Sequence, residues 1–116
     1  MYAVIFTAEI NPLLDANGHN EYAETAKRMR QLAFSEDHGC LDFTCTTEGN
    51  KEIAISYWPS IEHIQKWKHN IHHTNAQAKG RKNWYKSYKV QVVKLLREHE
   101  FGSVGDEDGV EEENRN

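Results

Sequence analysis

Residues 53–81, IAISYWPSIEHIQKWKHNIHHTNAQAKGR, decide the fold of this 116-residue chain. The stretch opens with β-branched and aromatic residues that are typical of a strand. Trp58-Pro59-Ser60 then interrupts the strand, and Ser60 is placed to cap the helix that follows. We expect that helix to break near Asn70 and a second helical segment to run from His72 to about Tyr85.

The sequence on either side of this stretch supplies the remaining strands and a first helix. Residues 2–10, YAVIFTAEI, predict the first strand, and residues 19–34 have the apolar periodicity of an amphipathic helix with Asn17 as its N-cap. Further strands are predicted at residues 40–47, 52–58 and 88–96, with a hairpin turn at residues 48–51. The order β-α-β-β-α-β predicts a ferredoxin-like α+β fold with a four-stranded antiparallel sheet.

Two of the predicted strands are apolar on both faces. In residues 2–10 the positions of both parities are mostly apolar, and residues 52–58 repeat this pattern. A strand that is wetted on one face alternates apolar with polar residues instead. The two helical layers cover one face of the sheet, so we expect a second copy of the chain to cover the other face in a homodimer.

The net charge of −4 comes from the C-terminal segment. Through Phe101 the chain has 13 lysines and arginines and 12 acidic residues, whereas residues 102–116 have six acidic residues and one arginine. We predict one domain at residues 1–101 and a disordered acidic tail at residues 102–116. The nearly neutral domain lacks the basic stripe of a nucleic-acid-binding surface, so we expect no nucleic-acid partner.

The sequence also indicates the compartment. Its apolar runs are far shorter than the roughly 20 residues of a membrane-spanning helix. The N-terminus lacks the basic start and cleavage site of a signal peptide. Cys40 and Cys45 are placed on opposite faces of one predicted strand, so they cannot pair within it. We therefore expect a cytoplasmic protein with free thiols and no membrane partner.

The chain resembles the antibiotic biosynthesis monooxygenase (ABM) superfamily, the dimeric α+β barrels, over residues 2–97. The resemblance rests on the opening strand and on these motifs: Gly18-His19, Glu21-Tyr22, Gly39, Ser56-Tyr57-Trp58, Trp67, His73, Gln77, Gly80-Arg81, Trp84-Tyr85 and Tyr88. It implies a homodimer whose sheets pack face to face, with a cavity between sheet and helices in each protomer. Members of the superfamily include cofactor-free oxygenases of polyphenolic substrates and haem-degrading enzymes.

His73 is the candidate for proton chemistry, because the pKa of a histidine can be set near neutrality. Gln77, one helical turn later, is placed to orient His73 or a substrate hydroxyl, and Arg81 is placed to pair with a phenolate. Trp67 and Trp84 are the candidate aromatic walls of a ligand site. The alternative is structural: Trp67 belongs to the core, while His73 and Arg81 attach the helix to a neighbouring strand or subunit.

Haem degradation fits the sequence poorly. The resemblance implies, for the haem-degrading members, an asparagine on the first strand, a tryptophan on the second helix and an axial histidine ten residues after it. Trp67 satisfies the second requirement, but Gln77 stands where the histidine is needed and Thr7 stands near the asparagine position.

A metal site is not predicted either. His69, His72 and His73 have the spacing of one helix face, but no carboxylate stands at ligand spacing beside them. We expect neither a metal nor another cofactor, and histidines on a surface helix are the simpler interpretation.

Two functional hypotheses remain open. In the first, the protein is a homodimeric, cofactor-independent monooxygenase that acts on a phenolic or quinol-type substrate. In the second, it is a non-catalytic ligand-binding or stress-related dimeric module with the same cavity. An enclosed pocket that contains Trp67, His73 and Gln77 favours the first, and a filled core with His73 at the surface favours the second.

Overall fold

The structure, a computed structural model, describes residues 1–35, 37–73 and 84–102, with the backbone alone for residues 71–73. Its elements are β1 (Tyr2–Ile10), α1 (Ala16–Ala33), β2 (Asp42–Glu48), β3 (Lys51–Trp58), α2 (Ile61–His73) and β4 (Tyr85–Lys94). The predicted β-α-β-β-α-β order is confirmed. The predicted tail lies outside the described residues apart from Gly102.

The four strands form one antiparallel sheet in the order β2-β3-β1-β4. The central strands β1 and β3 pair so that Phe6 lies opposite Ala54. In the same row, β4 places Val90 opposite Phe6, and β2 places Cys45 opposite Ala54. This topology confirms the predicted ferredoxin-like α+β fold.

Burial alternates along β3 and identifies the sheet face that the helices cover. Glu52, Ala54, Ser56 and Trp58 are buried, whereas the residues between them are partly exposed. Because successive side chains of a strand point to opposite faces, all four lie on the helix-facing side. Trp58 is fully buried there, and its indole N–H donates to the Ser56 hydroxyl at 2.8 Å.

Two apolar clusters fill the space between the sheet and the helices. The buried members are Val4, Ala33, Cys40, Trp58 and Ile64 in the first cluster, and Ile10, Tyr22 and Trp84 in the second. Trp67 of α2 packs against the first cluster and Tyr85 of β4 against the second. The core is therefore divided between the two ends of the sheet.

The opposite face of the sheet carries an apolar patch on its central strands. This outer patch consists of Ala3, Ile5, Ile53, Ile55, Tyr57 and Val93. The edge strands flank it with polar side chains, such as Thr44 on β2 and Lys89 on β4. Both α1 and α2 pack on the other face, so no helix in the described part of the chain covers the outer patch.

Three predicted boundaries were wrong at the starts of elements. The N-cap of α1 is Asp15, whose carboxylate accepts from the Gly18 N–H at 2.7 Å, and Asn17 lies inside the helix. β2 begins at Asp42, so Cys40 precedes it and the two cysteines do not share a strand; both are free. β4 begins at Tyr85, because Tyr85 already pairs with Ile10 across a bulge.

The predicted break of α2 near Asn70 was also wrong, since the helix continues to His73. The Asn70 side chain bonds the Nε2 atom of His38 instead of competing for the helix backbone. His38 is itself buried, and its Nδ1 atom lies 2.8 Å from the Ser35 hydroxyl. This network joins α2 to the loop that leads from α1 to β2.

No helix in residues 1–35, 37–73 or 84–102 is long and apolar enough to cross a membrane.

Candidate functional site

A cavity of about 370 Å³ lies between the helix-facing side of the sheet and the two helices. Members of both apolar clusters line it, including Val4, Ile64 and Trp67 from the first and Tyr22 and Trp84 from the second. Most of the lining side chains are aliphatic or aromatic. The cavity therefore has the composition of a small-molecule site, with few polar groups to orient a ligand.

Glu52 is the one acidic residue among the described residues that line the cavity. It occupies the first of the inward positions of β3, and only 8% of it is exposed. Its neighbours in the sheet are Ala8 on β1 and Thr47 on β2. The strand register thus places a buried carboxylate in the mostly apolar wall of the cavity, where it needs hydrogen-bond donors.

One tyrosine donates to the Glu52 carboxylate directly, and a second tyrosine and a cysteine complete its polar surroundings. The Tyr22 hydroxyl, which projects from α1, donates to Glu52 Oε2. The Tyr85 hydroxyl on β4 donates to the Tyr22 oxygen at 3.2 Å. The Cys45 thiol on β2 is close enough to Glu52 for the carboxylate to act on it electrostatically. One helix and three strands therefore meet at a single polar cluster, which we call the Glu52 cluster.

The electrostatics of the Glu52 cluster keep its hydroxyl and thiol groups protonated. Burial is the main cause that raises the pKa of Tyr22, and the neighbouring Tyr85 and Glu52 raise it further. Burial also raises the pKa of Tyr85. Cys45 is exposed at the edge of the cluster, and partial desolvation and then the charge of Glu52 raise the pKa of its thiol to about 11. At neutral pH Tyr22 therefore donates to the carboxylate, and Tyr85 donates to Tyr22.

An aromatic wall extends the cluster along β4. The Tyr85 ring packs edge-on against Phe6 with 5.5 Å between centroids, and Tyr88 stacks on the same Phe6 at 5.8 Å. All three residues line the cavity. The described cavity wall thus combines flat aromatic surface with hydroxyl groups.

Of the residues predicted for the site, the structure brings Trp67 and Trp84 to the same cavity. Trp67 is held in place because its indole N–H donates to the Met29 carbonyl at 3.1 Å and its ring packs on Trp58 at 5.1 Å. Trp84 is buried, and its ring packs edge-on against Tyr22 at 5.4 Å. The two indoles come from the opposite clusters of the core.

The other predicted site residues lie beyond what the structure describes. His73 is the last residue of α2, and its backbone alone is described. Gln77 and Arg81 fall outside the described residues. Their predicted roles stay predictions.

Sequence reasoning missed the Glu52 cluster. Tyr22 and Tyr85 entered the sequence analysis as parts of motifs, and Glu52 as the start of a strand. The available signal was the alternation of side chains along β3, which places Glu52 on the same face of the sheet as Ala54, Ser56 and Trp58. That signal identifies a buried carboxylate only when the face covered by the helices is known.

Comparison with known proteins gives the family of the chain. The sequence profile of the Monooxygenase af470-like family matches residues 4–100. The protein YqjZ of Bacillus subtilis (strain 168), which is uncharacterised, is 38% identical over 101 residues, covering 86% of this chain and 83% of YqjZ.

Solved structures agree on the fold. An antibiotic biosynthesis monooxygenase matches with a TM-score of 0.66 and 13% identity, covering 84% of this chain and 100% of that protein. Rv0793 from Mycobacterium tuberculosis matches with a TM-score of 0.65 and 16% identity, covering 85% and 98%. SnoaB, a cofactor-independent oxygenase from Streptomyces nogalater, matches with a TM-score of 0.64 and 11% identity, covering 84% and 94%. The chain therefore belongs to the Monooxygenase af470-like family and shares the fold of solved antibiotic biosynthesis monooxygenases, which confirms the resemblance inferred from its motifs.

Proposed function

We propose that this protein binds a planar phenolic or quinol-type molecule in its cavity and oxidises it with O₂, without a metal or flavin cofactor. The observation that carries the proposal is the combination of apolar, aromatic walls with the buried Glu52 cluster. Membership of a monooxygenase family supports the reaction type. The likeness in fold to a cofactor-independent oxygenase supports the absence of a cofactor.

The walls of the cavity suit a flat aromatic ligand. The volume of about 370 Å³ lies at the small end of the range for small-molecule sites, so we expect a compact ring system. Trp67 and Tyr88 offer ring surface for offset stacking or edge contacts. The hydroxyl of Tyr85 offers a polar partner for a ligand hydroxyl.

The proposed chemistry converts a phenol into a quinone. The substrate loses its hydroxyl hydrogen and one ring hydrogen, one oxygen atom of O₂ becomes the new carbonyl oxygen, and the second leaves as water with the two hydrogens. Removal of the phenolic proton makes the ring electron-rich enough to reduce O₂. The tasks of the protein are then to orient the ring, accept the proton and stabilise the anion. His73, Gln77 and Arg81 remain candidates for these tasks.

We also propose that the functional unit is a homodimer in the cytoplasm. The outer patch supports the dimer, because an apolar patch with polar flanks is typical of a protein–protein interface. If two copies of the chain pack their sheets face to face, each copy covers the outer patch of the other. The two free cysteines support a reducing compartment.

Oxygen uptake with a panel of phenols and quinols tests the proposed reaction. The protein is first dialysed against a chelator and checked for flavin absorbance, and the reaction then runs under ¹⁸O₂. We expect one labelled oxygen atom in the quinone product. Hydrogen peroxide with no label in the product would contradict monooxygenation and indicate an oxidase.

The same assay tests the predicted role of His73. His73→Ala is compared with wild type under identical conditions, and turnover at an equal rate would remove His73 from the mechanism. If no phenol or quinol is turned over by the wild type although ligands bind, the non-catalytic binding module becomes the better description.

A further inference from the structure

We infer that Glu52 is the proton acceptor of the cavity, and that Tyr22 and Tyr85 are the hydroxyl chain that connects it to the hydroxyl group of a bound ligand. This inference rests on the proposed function, because it assumes that a ligand with an acidic hydroxyl occupies the cavity. It assigns the base to β3 of the sheet, whereas the sequence pointed to His73 at the end of α2.

The surroundings of Glu52 suit a proton acceptor. Its hydrogen-bond partner in the described part of the chain is the Tyr22 hydroxyl, and the Cys45 thiol is an electrostatic neighbour; both groups are neutral. A neutral neighbour leaves the charge of a carboxylate in place, whereas a paired lysine or arginine would compete with an incoming proton for it. Among the described residues, Arg30 faces the Cys45 side of the cluster and lowers the pKa of that thiol.

The direction of the hydrogen bonds defines a path. Tyr85 donates to Tyr22, and Tyr22 donates to Glu52, so the oxygen of Tyr85 is left to accept from a ligand. When the ligand hydroxyl transfers its proton to Tyr85, the Tyr85 proton moves to Tyr22 and the Tyr22 proton moves to Glu52. Three O–H bonds break and three form, no electrons leave the ligand, and the net result is a ligand anion and a protonated Glu52.

The tyrosines are suited to transmit the proton and not to keep it. Burial raises the pKa of both, so neither exists as a stable phenolate at neutral pH. Their positions differ as the path requires: Tyr22 is buried between helix and sheet, whereas Tyr85 is partly exposed toward the cavity. The carboxylate is thus the end point of the chain.

Proton uptake on ligand binding tests this inference without requiring turnover. The probe is 2,4-dinitrophenol, which is ionised at pH 7, and binding is measured by titration calorimetry in two buffers of different ionisation enthalpy. A phenolate and an ionised Glu52 in one buried site share a single proton. We therefore expect the wild type to take up about one proton per bound probe, and Glu52→Gln to take up almost none.

Matched variants separate Glu52 from other groups. Glu9→Gln changes an exposed carboxylate on the opposite face of the sheet, beside Lys86, and we expect uptake as in the wild type. Tyr85→Phe removes the hydroxyl that faces the ligand and leaves Glu52 in place, and we expect uptake to fall to about half or less. Thermal melting of each variant establishes that it is folded. If Glu52→Gln does not fold, the proton uptake of Tyr85→Phe tests the inference in its place.

Each other outcome overturns the inference. Uptake that persists in Glu52→Gln and disappears in His73→Ala would make His73 the acceptor. Binding to the wild type without uptake would show that Glu52 does not interact with the ligand. If neither calorimetry nor tryptophan fluorescence detects binding of the probe or of any phenol in the panel, the proposed function fails and this inference fails with it.

A kinetic measurement supports the binding experiment where a substrate is found. Loss of a proton acceptor should lower kcat of Glu52→Gln by about 10²–10⁴-fold with little change in KM. The rate of the variant should recover as the pH rises through the pKa of the substrate in solution, because the substrate then arrives ionised. A purely structural role of Glu52 would give no such recovery, and that result would contradict the inference.

Discussion

The Tyr22 hydroxyl donates a hydrogen bond to the Glu52 carboxylate, and this bond attaches the first helix to the third strand over a separation of 30 residues. The same hydroxyl accepts from Tyr85, so one tyrosine connects α1, β3 and β4. The Glu52 cluster is therefore a structural joint as well as the polar end of the cavity.

Removal of the Tyr22 hydroxyl should destabilise the protein. We expect Tyr22→Phe to lower the free energy of unfolding by about 1.5–3 kcal/mol, since it deletes a hydrogen bond to a buried charged group. Urea unfolding measures the change. Tyr88→Phe is the control, because Tyr88 also lines the cavity and no hydrogen bond of its hydroxyl is seen among the described residues. Equal losses in both variants would contradict a special role for the Tyr22 bond.

The Cys45 thiol should report the charge of Glu52. The thiol is exposed to the reagent, but partial desolvation and Glu52 together raise the pKa of Cys45 to about 11, so it should react slowly with iodoacetamide at pH 8. In Glu52→Gln the charge is gone, and we expect the rate to rise by about 3–10-fold, the upper value corresponding to a shift of one pKa unit.

The reactivity experiment uses a Cys40→Ser background so that only one thiol is labelled. Mass spectrometry follows the modification over time. The control is Glu48→Gln, which removes the charge of an exposed glutamate at the end of β2, the strand that carries Cys45. An unchanged rate in Glu52→Gln would mean that the carboxylate does not act on the thiol.

Stability should fall steeply at alkaline pH. The pKa values of Tyr22 and Tyr85 are raised in the folded state above the ordinary value of 10.0. Their contribution is complete below about pH 10 and is lost as the pH rises, because the unfolded chain releases phenolic protons that the folded chain retains. Each tyrosine should lower the free energy of unfolding by up to about 1.4 kcal/mol per pH unit above pH 10.

Urea titrations between pH 8 and pH 11.5 measure this slope, and absorbance at 295 nm counts the tyrosines that ionise before unfolding. Tyr22→Phe should have a shallower slope than the wild type. If all five tyrosines of the wild type ionise near pH 10 without unfolding, the Tyr22 and Tyr85 hydroxyls are not protected.

Gly39 and Gly49 offer a matched pair of substitutions. Both have positive φ, 69° and 61°, a conformation that costs an L-residue about 1–2 kcal/mol. A Cβ atom at Gly39 would lie 3.0 Å from the ring of His63, whereas one at Gly49 would meet nothing within 4 Å. Thermal melting should therefore show a larger loss for Gly39→Ala than for Gly49→Ala. Equal losses would show that His63 moves aside freely.

The outer patch should hold two copies together. Ile55 lies at its centre, opposite Ile5, so Ile55→Lys places a charge inside the proposed interface. Light scattering at micromolar concentration should give the mass of a dimer for the wild type and of a monomer for the variant. Thr46→Lys on the flanking edge strand should remain dimeric. A monomeric wild type would contradict the proposed homodimer and would mean that a second copy does not bury the outer patch.

Local sequence patterns were sufficient for the elements and their order. The strands of residues 2–10 and 52–58 were identifiable because β-branched and aromatic residues occupy both parities, and the helix after Ser60 because a break and a cap precede it. The boundaries were less certain. Asp15 and not Asn17 caps α1, through a local bond from the Gly18 N–H, so the correct cap was one of two candidates in the same loop. The helix α2 continues through Asn70 because the side chain of Asn70 bonds His38, a partner 32 residues away.

The sequence by itself determined the ferredoxin-like fold and the family, since periodicity, turns and motif spacing are local properties of the chain. Only the tertiary structure decided that Glu52 meets Tyr22 and Tyr85, residues that lie 30 and 33 positions away from it along the chain. Strand pairing sets which side chains share a row, and helix packing sets which face of the sheet is buried. Both are non-local, so a glutamate that began a strand in the sequence became the buried carboxylate of the cavity.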